Sequence, residues 1–456
     1  MGAINLDNTG SGAAVTLSSD GSSLLLGGSA IGGGGGDPAL YKDNASSATT
    51  PVASGNNAIA LGSDSQATAQ DALALGTSTR VLGQGSVAIG IGDASYGVLS
   101  GADYGIAIGK QAKVRSGGDY SIAIGYSTDV NNTTSTAIGY NASAFGVGSL
   151  GIGLDAYAGN DYALALGKGS YAGNGYSSAI GANSSTQGST AAANGAMALG
   201  GSYASGTDSF AAAIATNSSS YGATGSNSVA MVRNSKASGS DSLAFGRTSQ
   251  ATTSYAVAMG YNCLSSASYA VALGYQAQAT GPNAIAAGAS STYQERANAT
   301  ASGAVALGGA YANGTDSVAI GASAKSTEIG KISFSNDKFT AVGDSQGGLF
   351  ILRADTTDAT ATALTTNNSS AGSTNQIVAA SDTCITFSGT IVAMQNGAQA
   401  YGGWKVEGIL VNDGGTTTLP ASTVTAINNA SSWGLALSAD NTNNALKVQV
   451  TGEASH

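Results

Sequence analysis

The chain has 456 residues, 68 of them glycine and only 9% charged, with a formal net charge of −10; so much glycine and so few charges argue against a helical or α/β enzyme. Hydrophobic residues make up 42%, mostly alanine with regularly placed Ile, Val and Leu, which argues against disorder, and four prolines are too few for a collagen-like helix. The acidity is even, with ten Lys and Arg against sixteen Asp and Glu before residue 322 and six against ten after it, so no basic stripe meets phosphates and no nucleic-acid partner is expected.

Residues 1–56 lack the repeat that follows and read as a small N-terminal module with a flexible connector, Gly32 to Gly36 and then Pro38. No Gly-Lys-Ser/Thr follows the glycine run, so a phosphate cradle is not expected. Met1 to Ser22 contains no lysine or arginine and no apolar stretch of signal-peptide length, and no run approaches a membrane span; neither secretory signal nor membrane insertion is expected. Asn5-Leu-Asp-Asn-Thr-Gly-Ser-Gly12 is similar to the openings of bacteriophage fibre proteins.

From residue 57 to 321 one pentad dominates. Ala58-Ile-Ala-Leu-Gly62 recurs as Ser86 to Gly90, Ser121 to Gly125, Ala256 to Gly260 and Ser317 to Gly321, in 18 copies if Ala213 and Val232 are accepted in place of the closing glycine. Ten of the seventeen intervals are 14 residues, and the rest are 13, 16, 19 or 20. A fixed period with occasional insertions marks a solenoid. Large apolar residues alternate with alanine, as in Val87, Ala88 and Ile89, the period of a strand. Each coil should hold this short strand, a second strand of about five residues and two tight turns. Stacked at ~4.8 Å, the coils would make a rod of about 85 Å. The alanine face permits a thin roll, whereas the Ile, Val and Leu face has too little of its own chain to pack against; three copies about an axis would cover it. On this reading Ile89, Ile124, Ile138, Leu166, Met259 and Leu273 form one buried column. The enlarged coils around Tyr96 to Asp103, Ser185 to Asn194, Ser218 to Ser226 and Ser290 to Ala301 should project as side loops, with Ala297 near a loop tip.

Repeats such as Ser86-Val-Ala-Ile-Gly90 and Ser317-Val-Ala-Ile-Gly321 resemble the YadA-like head repeat of trimeric autotransporter adhesins. The resemblance implies a left-handed parallel β-roll that trimerises. The heptad stalk and C-terminal membrane barrel of that family are not evident in the sequence.

Chemistry-bearing residues are sparse. The single histidine, His456, is the last residue, so histidine-dependent catalysis is not expected; Cys263 and Cys384 are 121 positions apart and read as two small buried thiols. Asp71, Asp103, Asp119, Asp161, Asp208, Asp241 and Asp316 lie five or six residues before closing positions, where they could bind calcium between coils or bond to the backbone of turns. Seventeen of the 19 tyrosines fall in the repeat; Tyr126 with Tyr140, Tyr255 with Tyr269 and Tyr261 with Tyr275 are one coil apart, placed to stack as a ladder or to offer glycans an aromatic surface. No catalytic, cofactor-binding or metal residue is assigned, and no cofactor is expected.

Residues 322–456 turn towards Thr, Asn and β-branched residues. Apolar runs at Leu349 to Leu352, Ile385 to Phe387, Thr390 to Met394, Trp404 to Val411 and Leu435 to Leu437 predict an antiparallel β-sandwich with Trp404 and Trp433 as core anchors. Phe350-Ile-Leu-Arg353, Phe387-Ser-Gly-Thr-Ile-Val392, Trp404-Lys-Val-Glu-Gly408 and Trp433-Gly-Leu-Ala-Leu-Ser438 resemble a C-terminal domain of phage tail-fibre and other virion proteins. The chain is therefore expected to be all-β, a left-handed, trimeric β-roll solenoid followed by a sandwich. The expected role is that of a non-enzymatic phage fibre or spike on the virion. Its N-terminal module would join other virion proteins, and its side loops or C-terminal domain would meet a host glycan or protein receptor. A bacterial surface adhesin and a polysaccharide-degrading tailspike, whose paired carboxylates would not stand out from the turn pattern, are the alternatives.

Overall fold

A computed structural model describes residues 49–92, 98–182, 188–213, 220–288, 296–397, 400–429 and 433–453, and the backbone of four short strands before residue 31. Every regular element among them is a β-strand. The early strands, Ile4–Leu6, Val15–Ser19, Leu24–Leu26 and Ser29–Ala30, pair antiparallel in sequence order. The Gly32 to Pro38 connector, most of the Asn5 to Gly12 motif and parts of all four expected side loops lie outside the described residues. The chain divides into two compact units, Met1–Asn234 and Ser235–His456, and the repeat occurs in both.

Each coil contributes two strands to two parallel ladders. In the first unit the pentad strands run from Ile59–Leu61 through Ile122–Tyr126 to Val229–Met231, and the second strands from Val52–Ala53 to Gly222–Ala223. In the second unit the pentad strands run from Leu243–Phe245 to Ile332–Phe334, and the second strands from Lys236–Ala237 to Lys325–Ser326. Pairing is in register, with Ala123 opposite Ala137, Ile124 opposite Ile138 and Gly125 opposite Gly139. The fold is thus the expected parallel solenoid of 14-residue coils. Parallel pairing continues past Gly321, because Ser333 fills the alanine place opposite Ala319. Second strands hold two or three residues, not five, since the turns take up most of the coil.

The interior explains the composition. Two strands so close leave room only for small side chains, and Ala88, Ala123 and Ala137 are wholly buried, as are Ser86, Ser121 and Ser135. The serine hydroxyls satisfy turn carbonyls: Ser86 Oγ donates to Ala102 O at 2.6 Å and Ser135 Oγ to Gly146 O at 2.5 Å. Second strands add Ala67 and Ala144, or Val81, Val114 and Val130. The closing glycine is required twice over. Gly125 has φ 133°, and a Cβ on it would lie 1.8 Å from the Gly139 carbonyl oxygen. Ala213 and Val232, in the same place, are held at φ 55° and 79°.

Ala297 is not near a loop tip. It is fully buried, its carbonyl accepts Gln278 N at 2.9 Å, and the second strand Asn298–Ala299 follows at once. The chain has re-entered the roll before Ala297, so the expected side loop over Ser290 to Ala301 ends sooner.

After Ile332–Phe334 the chain turns back and pairs antiparallel as Gly347–Leu349. Two antiparallel sheets follow. One is made of Thr383–Met394, Tyr401–Asp413 and Thr416–Asn429; the other pairs Thr362–Ala363, Ile377–Val378 and Gly434–Asp440 with Ala445–Thr451. Leu410 of the first sheet and Leu446 and Val448 of the second are buried in one cluster, with Ile385, Phe387, Leu419, Leu435 and Leu437 packed on it. Trp404 is buried, but against Gly402, whose missing Cβ leaves room for the indole, and outside that cluster; Trp433 is half-buried. Leucines, not the tryptophans, anchor this core.

Candidate functional site

The pentad strands present alternate residues outward. Ile89, Ile124, Ile138, Leu166 and Leu273 are each half-exposed, and Met259 is 38% exposed, although each lies beside an equivalent apolar residue on the next coil. A single chain therefore leaves the expected buried column open to solvent, coil after coil. Isolated apolar side chains at a surface are ordinary, but a continuous apolar face marks a contact surface.

At one edge of this face lies a turn residue, five places before each closing position, which always takes a left-handed backbone. Asn57, Asp71, Asn227 and Asn283 have φ 57°, 55°, 54° and 57°, and glycines such as Gly85 and Gly148 do the same at 63°. These are the residue types that tolerate that conformation. Six tyrosines share the position: Tyr104, Tyr120, Tyr162, Tyr176, Tyr255 and Tyr269, at φ 57° to 60°. They fall in three doublets on adjacent coils. Ring centroids are 5.1 Å apart in Tyr104–Tyr120, 5.2 Å in Tyr162–Tyr176 and 4.7 Å in Tyr255–Tyr269. A left-handed backbone costs a bulky residue about 1–2 kcal/mol, so a doublet costs about 2–4 kcal/mol, while one aromatic pair adds about 0.5–1.5 kcal/mol beyond the area it buries. Stacking accounts for the pairing, and Asn, Asp or Gly would fill the same turn at less backbone cost.

The preceding aspartates tie coil to coil. Asp103 Oδ1 accepts Gln84 N at 2.7 Å, Asp119 Oδ1 accepts Asp103 N at 3.0 Å, and Asp161 Oδ1 accepts Val147 N at 2.8 Å. Asp71 accepts the Asn57 amide at 3.0 Å, and Asp71, Asp208, Asp241 and Asp316 are themselves the left-handed turn residue. Four of the seven thus bond to the preceding coil. Among the described residues no three His, Cys, Asp or Glu side chains gather into a group that could hold a metal ion.

The other tyrosine ladder follows the closing glycine. Tyr126 stacks on Tyr140 at 4.8 Å with Lys110 Nζ 5.6 Å from the Tyr126 centroid; Tyr261 stacks on Tyr275 at 5.2 Å with the Arg247 guanidinium 5.6 Å from Tyr261. The same cation-Tyr-Tyr order thus occurs in each unit. All three pairs expected from spacing are stacked. Tyr104–Tyr120, Tyr157–Tyr171 and Tyr162–Tyr176 stack as well, the last two also at a spacing of 14 residues. The first of these is interrupted by an insertion, but the constant offset from the closing glycine could have found it.

Cys263 is the buried thiol expected, whereas the exposure of Cys384 and the Lys331–Glu328 pair were not legible. Cys263 is buried with its Sγ 2.9 Å from Gly274 O, in the interior place that Ser249 fills one coil earlier, and burial pushes its thiol pKa up. Cys384, expected to be buried, faces outward from its sheet and is exposed, since strand alternation there turns Ile385 and Phe387 inward instead. Lys331 and Glu328 form a buried ion pair at 2.9 Å.

Comparison with known families matches the YadA head domain repeat, as a model of two copies, at residues 53–79, 67–92, 101–128, 131–156, 237–262, 265–291 and 312–329. No curated protein sequence matches the chain.

Proposed function

We propose that this chain, whose solenoid carries YadA head domain repeats, is a non-enzymatic, homotrimeric fibre or spike of a phage virion that adheres to the host surface. The observation that carries the trimer is the uncovered apolar face: Ile89, Ile124 and Ile138 are half-exposed on a roll whose own interior is already filled by alanine and serine. Another chain would cover them, and three copies about an axis close the arrangement without leaving a free face. Residues 350–438 support the virion assignment through their resemblance to tail-fibre C-terminal domains. A structural role fits aspartates such as Asp119 and Asp161, which bond to the backbone of the neighbouring coil, and the lone histidine at position 456.

Sedimentation equilibrium of the intact chain should give the mass of three chains, and a stable folded monomer would sink the reading. Purified phage particles whose genome encodes the chain should contain it by mass spectrometry. Its presence on a bacterial surface and absence from particles would favour the second reading, a surface adhesin, which the head repeats themselves support. Release of reducing sugar from host polysaccharide would identify a degrading tailspike instead.

A further inference from the structure

The geometry points to the left-handed tyrosine doublets as binding platforms for an uncharged glycan, an inference that rests on the adhesin reading and names its ligand class. The turn position accepts Asn, Asp or Gly without strain, and this chain uses those residues there on most coils. Tyrosine is a costlier choice, shared only by Thr134, and it alone recurs there in doublets; backbone strain of this kind clusters at binding sites. In each doublet the second ring is the more exposed: Tyr120 64% against Tyr104 46%, Tyr176 69% against Tyr162 55%, and Tyr269 58% against Tyr255 48%. The next coil explains why. Its residue at the same position is Thr134, Gly195 or Asn283, none of which has a ring to cover the outer face.

Each doublet is therefore a step with one open aromatic face and a phenolic hydroxyl. The flat, C–H-rich face of a pyranose fits such a surface, and its hydroxyls fit the polar turn residues around it. Charge selects among glycans. In two of the three doublets a carboxylate adjoins the rings, since Asp103, Asp119 and Asp161 immediately precede Tyr104, Tyr120 and Tyr162, and the chain as a whole carries a net charge of −10, so an acidic polymer is repelled. The fit is to a neutral polysaccharide.

The test is affinity electrophoresis of the full chain through gels containing dextran, mannan or galactomannan, with polygalacturonate as the acidic control. At least one neutral polymer should retard the protein, and polygalacturonate should not. The triple variant Tyr120→Asn, Tyr176→Asn, Tyr269→Asn installs the residue that Asn57, Asn227 and Asn283 already supply at this turn, so it should keep or raise the melting temperature while binding falls at least tenfold. Retardation by no neutral polymer, unchanged binding in the variant, binding of polyproline in place of glycan, or a loss of melting temperature parallel to the loss of binding would each overturn the proposal. Sedimentation of the same samples tests the trimer separately.

Discussion

Gly76 lies one coil from Gly90, and the Gly90 carbonyl oxygen stands 1.8 Å from the point where a Cβ on Gly76 would be. The neighbour is backbone held in a ladder, so it cannot move aside, and φ 123° excludes a side chain independently. Gly76→Ala should cost about 3 kcal/mol or more, from overpacking and backbone strain together. Chemical denaturation of the variant against the parent measures it; a loss under 1 kcal/mol would contradict the close approach.

Val232 is the converse case. A β-branched residue held at φ 79° stores strain that glycine would release, so Val232→Gly should raise stability by about 1 kcal/mol despite glycine's greater unfolded-state entropy. A lowered thermal midpoint would show that the valine side chain contributes packing worth more than the strain.

Ile138 and Ala297 separate the two kinds of burial. Ala297 is inside the roll of a single chain, and Ala297→Asp should unfold its coil whatever the oligomeric state. Ile138 is half-exposed, so Ile138→Asp should leave strand content by circular dichroism intact while sedimentation shows loss of the trimer. Unfolding by both variants alike would mean that the two faces have been misassigned.

Asp344 accepts N–H bonds from Ala341, Thr340 and Phe339 and a hydroxyl bond from Thr340. These bonds, those from Ala341 and Thr340 foremost, hold its pKa down at about 2. A depressed carboxylate pKa means that the loop is stabilised above the ordinary carboxylate pKa, and that this is lost as the pH falls from about 4 towards 2. The amide signals of Thr340 and Ala341 should shift together in that window, and Asp344→Asn should abolish the transition.

Lys331 and Glu328 should behave as a coupled pair. Glu328→Gln leaves an ammonium group with 7% residue exposure and no counter-charge, at a cost of about 3–5 kcal/mol. Adding Lys331→Met should recover most of it. A double variant no more stable than the single one would show that the pair holds the turn by geometry and not by charge balance.

The coil was legible because alanine and glycine recur where nothing larger fits, and the period of alternation in Val87-Ala88-Ile89 identifies a strand without reference to any neighbour. The inward serines were not, because a serine looks like a turn residue until Ser86 Oγ is seen on Ala102 O. Ala297 was misplaced because an insertion shifts the count and only the ladder shows where the coil resumes. In the C-terminal region the strand Thr416–Asn429 was missed: it is rich in Thr and Ala with few large apolar residues, and it contains Pro420, tolerated because the strand pairs on one side only and is bulged near that point. The tyrosine doublets could be read as stacked from spacing, but their left-handed backbone could not.

The register between neighbouring coils has a genetic consequence. Ser127 and Asn141 occupy equivalent places, with φ 51° and 54°, so removing residues 127–140 joins Tyr126 to a residue already shaped to follow it. Unequal recombination between repeats would therefore yield shorter or longer alleles that still close their hydrogen bonds, provided the crossover removes or adds a whole coil. Within each unit, length is a trait that mutation can change in one step without redesigning any residue.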